Sequence, residues 1–249
     1  MTSFLLALQF LTTLPLKIGK FSEKKMAWAL VYFSVVGLFL GLMLIGLNTL
    51  LPILGFHLVV INIILVIVLI IFTGGLHLDG LADTTDAFLS GQGKEKMLQI
   101  MRDSHIGVMG VLALISIILL KVGLLYSVGV AAKPVALMLM CVLSRWSVVL
   151  VMYLFPYARQ EGKARLFIQG LNLRIFIISL IVVLIFSFVI WGLKGALALV
   201  IISGCAYVIN KAITRKIGGV TGDTLGATIE VMEIAVLLIV CITQGLIYG

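Results

Sequence analysis

Long apolar runs separated by short polar links dominate the chain. Seven runs approach the ~20 residues that a helix needs to cross about 30 Å of hydrocarbon. They cover residues 28–51, 57–74, 107–125, 134–155, 175–193, 195–210 and 230–248. Because lipid offers the backbone no hydrogen-bond partner, each run is predicted to be a helix. The pattern therefore predicts an all-α, polytopic integral membrane protein with about seven transmembrane helices.

The first apolar stretch, residues 4–16, differs from the others. It is short, it contains Pro15, and no basic residue precedes it, so neither a full span nor a signal peptide fits. We predict an interfacial or re-entrant helix here. No long linker divides the chain, so residues 1–249 are expected to form one integral-membrane domain.

Composition and charge support the membrane assignment. Of 249 residues, 62% are apolar and 11% are charged, which no water-soluble domain resembles. The net charge of +8 does not indicate nucleic-acid binding, because the basic residues stand singly or in pairs between apolar runs. The three cysteines stand alone in apolar stretches, so their spacing predicts neither a disulfide framework nor a thiolate metal site.

The basic residues also predict the orientation in the membrane. Fourteen of the eighteen fall in links on one side: Lys17, Lys20, Lys24, Lys25, Lys94, Lys96, Arg102, Arg159, Lys163, Arg165, Arg174, Lys211, Arg215 and Lys216. The positive-inside rule places that side in the cytoplasm. We therefore predict a multi-pass protein of the inner (cytoplasmic) membrane. Its N-terminus and its long links 75–106, 156–174 and 211–229 are expected in the cytoplasm, and its C-terminus outside.

Acidic residues gather on this same side. Seven of the ten lie in two of the links or in the adjoining helix ends: Asp79, Asp83, Asp86, Asp103, Asp223, Glu230 and Glu233. Spacings of four and three put Asp79, Asp83 and Asp86 on one helix stripe. Such a stripe stays ionised if a cation lies among the carboxylates, and Mg²⁺ suits a few carboxylates with water and phosphate oxygens.

These carboxylates are the candidate catalytic and metal-binding residues. Asp79, Asp83 and Asp86 are assigned both roles. Asp223 and Glu230, seven residues apart on another helix, are predicted to complete a site for one or two ions. For any single residue, a merely solvated carboxylate at the membrane boundary is the alternative.

Several further residues suit an anionic substrate. Gly74, Gly75 and Gly222 allow the backbone to approach a phosphate near helix N-termini. Arg102, Asp103 and Arg159 lie in the polar links, where arginine can clamp an anion or simply set topology. Arg145 lies in mid-span, so it must either pair with a carboxylate or bind phosphate in a cavity. His77 and His105 are either proton carriers or hydrogen-bonding residues.

Ordered sequence blocks at these positions resemble a known family, the adenosylcobinamide-GDP ribazoletransferases, also called cobalamin synthases. The similarity covers nearly the whole chain. Its blocks are QFLTTLP (9–15), GGLHLDGLADTTD (74–86), MRDSHIG (101–107), Ser144-Arg145-Trp146, Tyr157-Ala158-Arg159 with Gly162, and GGVTGDTLGA (218–227) with Glu230.

The resemblance implies a Mg²⁺-dependent transferase. The hydroxyl of α-ribazole or its 5′-phosphate attacks the cobinamide-linked phosphate of adenosylcobinamide-GDP. GMP is released, and adenosylcobalamin or its 5′-phosphate is formed. One of the three aspartates on the stripe is then a candidate proton acceptor. The expected partners are these small molecules and the lipid bilayer, without nucleic acid, and a homo-oligomer is left open.

Other functions are also compatible with the residues. A cation-coupled transporter would carry its acidic residues at mid-span. Among enzymes, a prenyltransferase would use two Asp-rich motifs. The order Asp79-Gly80-Leu81-Ala82 is similar to the Asp-Gly-x-x-Ala start of CDP-alcohol phosphotransferases, a mechanistic analogy.

Overall fold

The computed structural model describes residues 2–15 and 22–248, and within those ranges the regular structure is entirely helical. The predicted all-α class is confirmed. The helices are α1 (Thr2–Leu11), α2 (Glu23–Ala29), α3 (Phe33–Ile53), α4 (Leu58–Thr73), α5 (Leu76–Leu89), α6 (Lys94–Ile100), α7 (Val108–Ser127), α8 (Lys133–Leu154), α9 (Lys163–Gln169), α10 (Leu173–Ile217) and α11 (Gly222–Tyr248). A 3₁₀ turn joins α2 to α3.

Several helices are long and apolar enough to cross a membrane. In the described residues there are five: Lys24–Ile53, Val108–Ser127, Lys133–Leu154, Leu173–Ile217 and Gly222–Gln244. There are six if α4 and α5, which meet at an angle of 89°, count as one broken span. The multi-pass architecture is confirmed, whereas the predicted number of about seven is not.

The difference from the predicted number centres on α10, where the sequence predicts two spans. A straight helix of 45 residues would be about 67 Å long, more than twice the hydrocarbon thickness. The helix is instead broken at Trp191 and Gly192, whose backbone angles are non-helical. A methyl group on Gly195 would lie 1.9 Å from the carbonyl oxygen of Ser187, so the chain folds back sharply at this break.

The N-terminal helix α1 is too short, at 10 residues, to span a bilayer. It buries Leu6 and Leu11 against the bundle. The backbone N–H of Thr13 then donates to the carbonyl of Phe72 at the end of α4, 2.8 Å away. The depth of this segment in the membrane stays a prediction. Lys17 and Lys20, two of the predicted topology residues, lie outside the described residues.

A sharp corner separates α4 from α5. Gly74 and Gly75 both adopt left-handed backbone angles, with φ of 64° and 66°. Two successive residues in this region strongly favour glycine, because a Cβ would clash with the following carbonyl. The corner sends α5 across the end of the bundle instead of along it.

Helix α8 forms the centre of the bundle, since 89% of an apolar 18-residue segment of this helix is buried. Helix α3 runs antiparallel to it at very close range, with Gly37 against Cys141 and Gly41 against Met138. Small residues allow such approach between membrane helices. On the other side of α8 lies α11, which also contacts α5, α7 and α10.

The three long links meet at one end of this bundle, called the site end below. Asp86 of α5 bonds to the backbone where α7 begins, and Tyr157 after α8 forms an isolated parallel bridge with Val220 before α11. The sequence separation between these contacts exceeds 20 residues in one case and 60 in the other. The fold therefore assembles the site from segments that are distant in sequence.

Candidate active site

The site is built where α5 crosses the first turns of α11. A methyl group on Gly80 would lie 2.6 Å from the carbonyl oxygen of Asp223, and one on Gly226 would lie 3.2 Å from the Cα of His77. Glycine at both positions lets the two backbones nearly touch. This contact brings the aspartates of α5 beside Asp223, as the sequence predicts.

Asp79 and Asp83 stand out among the predicted carboxylates. Asp79 is exposed and Asp83 is half-buried. The charge of Asp83 interacts with those of Asp79, Asp223 and Asp86. Within the described ranges, neither Asp79 nor Asp83 has a hydrogen-bond or ion-pair partner. These two neighbouring carboxylates are therefore free to bind a cation or accept a proton.

Asp223 is held by an arginine from another link. Its Oδ2 lies 2.7 Å from Nη2 of Arg159. The two links are fixed by backbone hydrogen bonds from Ala158 N–H to Val220 and from Val220 N–H to Pro156, each 2.8 Å long. The Nε of Arg159 is buried without a hydrogen-bond partner. The guanidinium thus places positive charge beside the aspartates, which suits an anionic ligand.

Asp86 has a different environment from the other two members of its stripe. Its Oδ2 accepts a hydrogen bond of 2.7 Å from Gly107 N–H, and its Oδ1 accepts one of 2.8 Å from Gly110 N–H. These donors belong to the first turn of α7, where backbone N–H groups have no partner within the helix. Asp86 caps α7 from a neighbouring helix. Sequence spacing alone does not reveal this contact.

The link between α6 and α7 carries Arg102, Asp103 and His105, all exposed. Nδ1 of His105 lies 2.6 Å from Oδ1 of Asp103. This hydrogen bond holds the pKa of Asp103 below its usual range and raises the pKa of His105. Arg102 is close enough for its charge to act on Tyr157 in the adjacent link. The predicted substrate-binding residues of this link therefore border the site.

Glu230 lies deeper in the bundle than the other predicted metal ligands. It follows Asp223 by seven residues, or about 10 Å along the helix. Its Oε2 lies 2.6 Å from Nζ of Lys121, and the charged residues that act on it are Lys121, Glu233 and Arg145. The structure does not bring Glu230 to the aspartates of α5, contrary to the pairing that its spacing from Asp223 suggests.

Arg145 also belongs to this buried group. Its guanidinium contacts Glu233, which contacts Lys121 as well. Of the two roles open to Arg145 on sequence, pairing with a carboxylate is the one observed. Lys121 is not among the functional residues that the sequence predicts. The signal was present, because an ionised lysine inside an apolar run is costly unless it is paired.

The predicted glycines occupy the helix starts at the site end. Gly75 precedes α5 and Gly222 begins α11, and a methyl group on either would meet no atom within 4 Å. Gly74 instead packs against Thr13, so its role is at the corner of the chain. His77 is buried, and its Nδ1 has no hydrogen-bond partner. Gly75 and Gly222 therefore leave space beside the starts of α5 and α11, where the helix dipole favours an anion.

The side chains at the site determine whether it can hold a metal ion. In the part of the chain that the structure covers, no group of three or more His, Cys, Asp or Glu side chains is arranged to hold a metal ion. Mg²⁺, however, is usually held by one or two carboxylates together with water and substrate phosphates. The free carboxylates of Asp79 and Asp83 match that requirement.

The fold and the site together define a multi-pass membrane protein with an acidic, glycine-lined site at one end of its helix bundle. The sequence profile of the family described as Cobalamin-5-phosphate synthase matches residues 3–241. The chain belongs to this family, and it is a transferase of cobalamin biosynthesis.

Curated relatives agree with this assignment. A protein from Fusobacterium nucleatum named adenosylcobinamide-GDP ribazoletransferase is 34% identical, and the match covers 100% of both chains. One of the same name from Desulforamulus reducens is 31% identical over 98% of this chain and 97% of its own. A third, from Escherichia coli O45:K1, is 40% identical over 70% of this chain and 71% of its own. No solved structure matches the chain.

Proposed function

We propose that this enzyme joins adenosylcobinamide-GDP to α-ribazole or α-ribazole 5′-phosphate in a Mg²⁺-dependent reaction. The products are adenosylcobalamin, or its 5′-phosphate, and GMP. The observation that carries the proposal is the pair of free carboxylates, Asp79 and Asp83, beside the Arg159–Asp223 ion pair. Family membership supplies the chemical class of the substrates.

The reaction makes one bond and breaks another at the same phosphorus atom. The acceptor hydroxyl oxygen bonds to the phosphate attached to cobinamide, the bond from that phosphate to GMP breaks, and the hydroxyl proton leaves. Asp79 and Asp83 are the candidate proton acceptors, because both oxygens of Asp86 accept hydrogen bonds from α7. Bound Mg²⁺ would neutralise the phosphate oxygens and the leaving group.

In this proposal, Arg159 and the starts of α5 and α11 bind the phosphates of adenosylcobinamide-GDP. The Nε–H of Arg159 has no hydrogen-bond partner among the described residues, and there is space beside Gly75 and Gly222 at the starts of α5 and α11. These positive groups surround carboxylates that repel one another. The pyrophosphate of adenosylcobinamide-GDP would complement the positive groups, and Mg²⁺ bound to it would complement the carboxylates.

Orientation in the membrane completes the proposal. The site end is expected in the cytoplasm of the producing cell, within the inner membrane, because the described basic residues of the links lie there. Single cysteines in a cysteine-free background test this in intact cells with an impermeant thiol reagent. Gln92→Cys near the site should be protected, and Val130→Cys in the opposite link should react. The reverse pattern would overturn the orientation.

The proposed reaction can be tested with purified protein in lipid nanodiscs, supplied with Mg²⁺, adenosylcobinamide-GDP and α-ribazole. GMP and the cobalamin product should appear in equal amounts. Omission of either substrate is the control. If GMP is not released under any lipid condition, the proposal is wrong.

The transporter alternative is less well supported by the contacts. It requires carboxylates within the bundle that are available to a cation. The two acidic residues placed there, Glu230 and Glu233, are paired with Lys121 and Arg145.

A further inference from the structure

A buried ionic group links three helices below the site. Lys121 of α7, whose side chain is 3% exposed, contacts both Glu230 and Glu233 of α11. Arg145 of α8 contacts Glu233 from the other side. Two positive and two negative side chains thus balance one another inside the apolar bundle. We call these four residues the buried ionic group.

The buried ionic group lies on the helices that carry the site. The start of α7 is held to α5 through Asp86 and the N–H groups of Gly107 and Gly110. The start of α11 carries Asp223 and packs directly on Gly80 of α5. Helices α5, α7 and α11 therefore form a closed triangle.

Each side of this triangle has a different contact. Asp86 joins α5 to α7, and close backbone packing joins α5 to α11. Lys121 makes the ionic connection from α7 to α11, beside the apolar packing of Ile117 with Ile234. Without the ionic connection, α7 could shift relative to α11 and, through Asp86, would draw α5 from its packed position on α11, which also strains the hydrogen bonds of Gly107 and Gly110. Such a shift would move Asp223 relative to Asp79 and Asp83.

We propose that Lys121 is a positioning residue of the transfer reaction. Its contacts with Glu230 and Glu233 fix α7 against α11 and thereby set the spacing of the aspartates at the site. It acts through other residues, since it is buried two helical turns below Asp223 and does not reach substrate. This inference rests on the proposed function, because its kinetic readout is GMP release.

The structure also predicts which variants separate positioning from charge balance. Lys121→Met leaves a buried carboxylate without its partner, so it removes both the connection and the charge balance. Lys121→Met combined with Glu230→Gln removes the connection but restores the balance, because Glu233 keeps Arg145. Lys121→Arg retains a cation that can reach both glutamates.

The matched control is Lys133→Met. Lys133 is also buried in a membrane helix, and its Nζ lies 3.0 Å from the Oδ1 of Asn62. The Asn62 side chain that accepts this hydrogen bond is neutral. A general effect of removing a buried lysine would appear in this variant as well.

Three measurements on protein in nanodiscs decide the question. They are the thermal unfolding midpoint, the Mg²⁺ concentration for half-maximal GMP release, and hydrogen exchange at the amides of Gly107 and Gly110. The double variant is expected to recover most of the midpoint that Lys121→Met loses. Its half-saturating Mg²⁺ concentration should still rise at least fivefold, and the two amides should exchange at least fivefold faster.

If the double variant shows the same Mg²⁺ dependence and the same amide exchange as the wild type, the proposal is wrong. If the double variant does not fold, Lys121→Arg decides. A half-saturating Mg²⁺ concentration within about twofold of wild type supports the ionic connection. A higher concentration in a folded Lys121→Arg protein contradicts it. The exchange measurement needs no turnover. Absence of GMP release by the wild type would therefore refute the proposed function without being confused with failure of this inference.

Discussion

Gly80 of α5 and Asp223 of α11 are in such close contact that a methyl group on Gly80 would lie 2.6 Å from the carbonyl oxygen of Asp223. Backbone atoms at this distance cannot move aside as a flexible side chain can. The contact fixes how near the aspartates of α5 come to the start of α11. The glycine within the acidic stripe is therefore as much a part of the site as the carboxylates around it.

Substitution of Gly80 should consequently impair activity more than folding. We expect Gly80→Ala to push α5 away from α11, to destabilise the protein by about 1–3 kcal/mol through overpacking and to lower GMP release at least tenfold. Gly46→Ala is the control, because it adds a methyl group to a helix glycine with no atom within 4 Å. Wild-type activity of Gly80→Ala would show that this spacing is not critical.

Asp83 offers the most direct test of the acidic site. Asp83→Asn keeps the size of the side chain but removes its charge and most of its affinity for Mg²⁺ and for a proton. We expect turnover to be abolished while membrane insertion and the thermal unfolding midpoint are kept. Glu95→Gln, an exposed change on α6, should leave GMP release unaltered. Near-normal activity of Asp83→Asn would remove this residue from the site.

Arg159 is expected to contribute through its charge and its free donor. Arg159→Met should reduce kcat/KM for adenosylcobinamide-GDP by about 10–100-fold, because a charge-assisted hydrogen bond of about 1.5–3 kcal/mol is lost. Arg159→Lys should recover only part of this, since lysine lacks the planar set of donors. Arg165→Met on α9 is the control. Equal kcat/KM for wild type and Arg159→Met would contradict a role in substrate binding.

The capping contact of Asp86 separates two roles assigned from sequence. If the cap is its main task, Asp86→Asn should keep part of the activity, because its amide oxygen can accept from one of the two N–H groups while the other loses its acceptor. Asp86→Ala should lose about 0.5–2 kcal/mol of stability. The measurements are unfolding midpoints and GMP release for both variants. Loss of activity in a stable Asp86→Asn protein would favour the metal-binding role instead.

The exposed pair of Asp103 and His105 gives a prediction about protonation. The carboxylate stabilises the imidazolium, so the pKa of His105 is raised and the pair is lost as pH rises through that value. Asp103→Asn should therefore lower the pKa of His105 towards its ordinary value of about 6.5, as measured by imidazole NMR titration. Glu95→Gln should leave this titration unchanged. An unaltered His105 titration in Asp103→Asn would show that the pair does not form in solution.

Much of the fold is predictable from local sequence because the bilayer restricts the choices. Runs such as 134–155 must be helical in lipid, and the observed α8 (Lys133–Leu154) begins and ends within a residue of that prediction. The number of crossings is harder to predict. It depends on how the chain turns at breaks such as the one at Trp191 and Gly192: the sequence predicts a boundary at residue 194, and the structure supplies the backbone angles that fold the chain back.

The sequence also determined that acidic residues gather at one end of the bundle, and that Asp79, Asp83 and Asp86 share a helix stripe. Helical periodicity fixes which residues of one helix lie together. It cannot say which residues of other helices they meet. The family could likewise be identified from ordered motifs, since those motifs are themselves sequence.

Only the tertiary structure decided the partners of each carboxylate. Asp86 caps α7, Asp223 pairs with Arg159, and Glu230 pairs with Lys121, whereas Asp79 and Asp83 have no partner among the residues that the structure describes. These partners come from helices that are distant in sequence, so no local pattern specifies them. The physical reason is that a charge in an apolar bundle must find an opposite charge or a donor, and packing determines which one lies within reach.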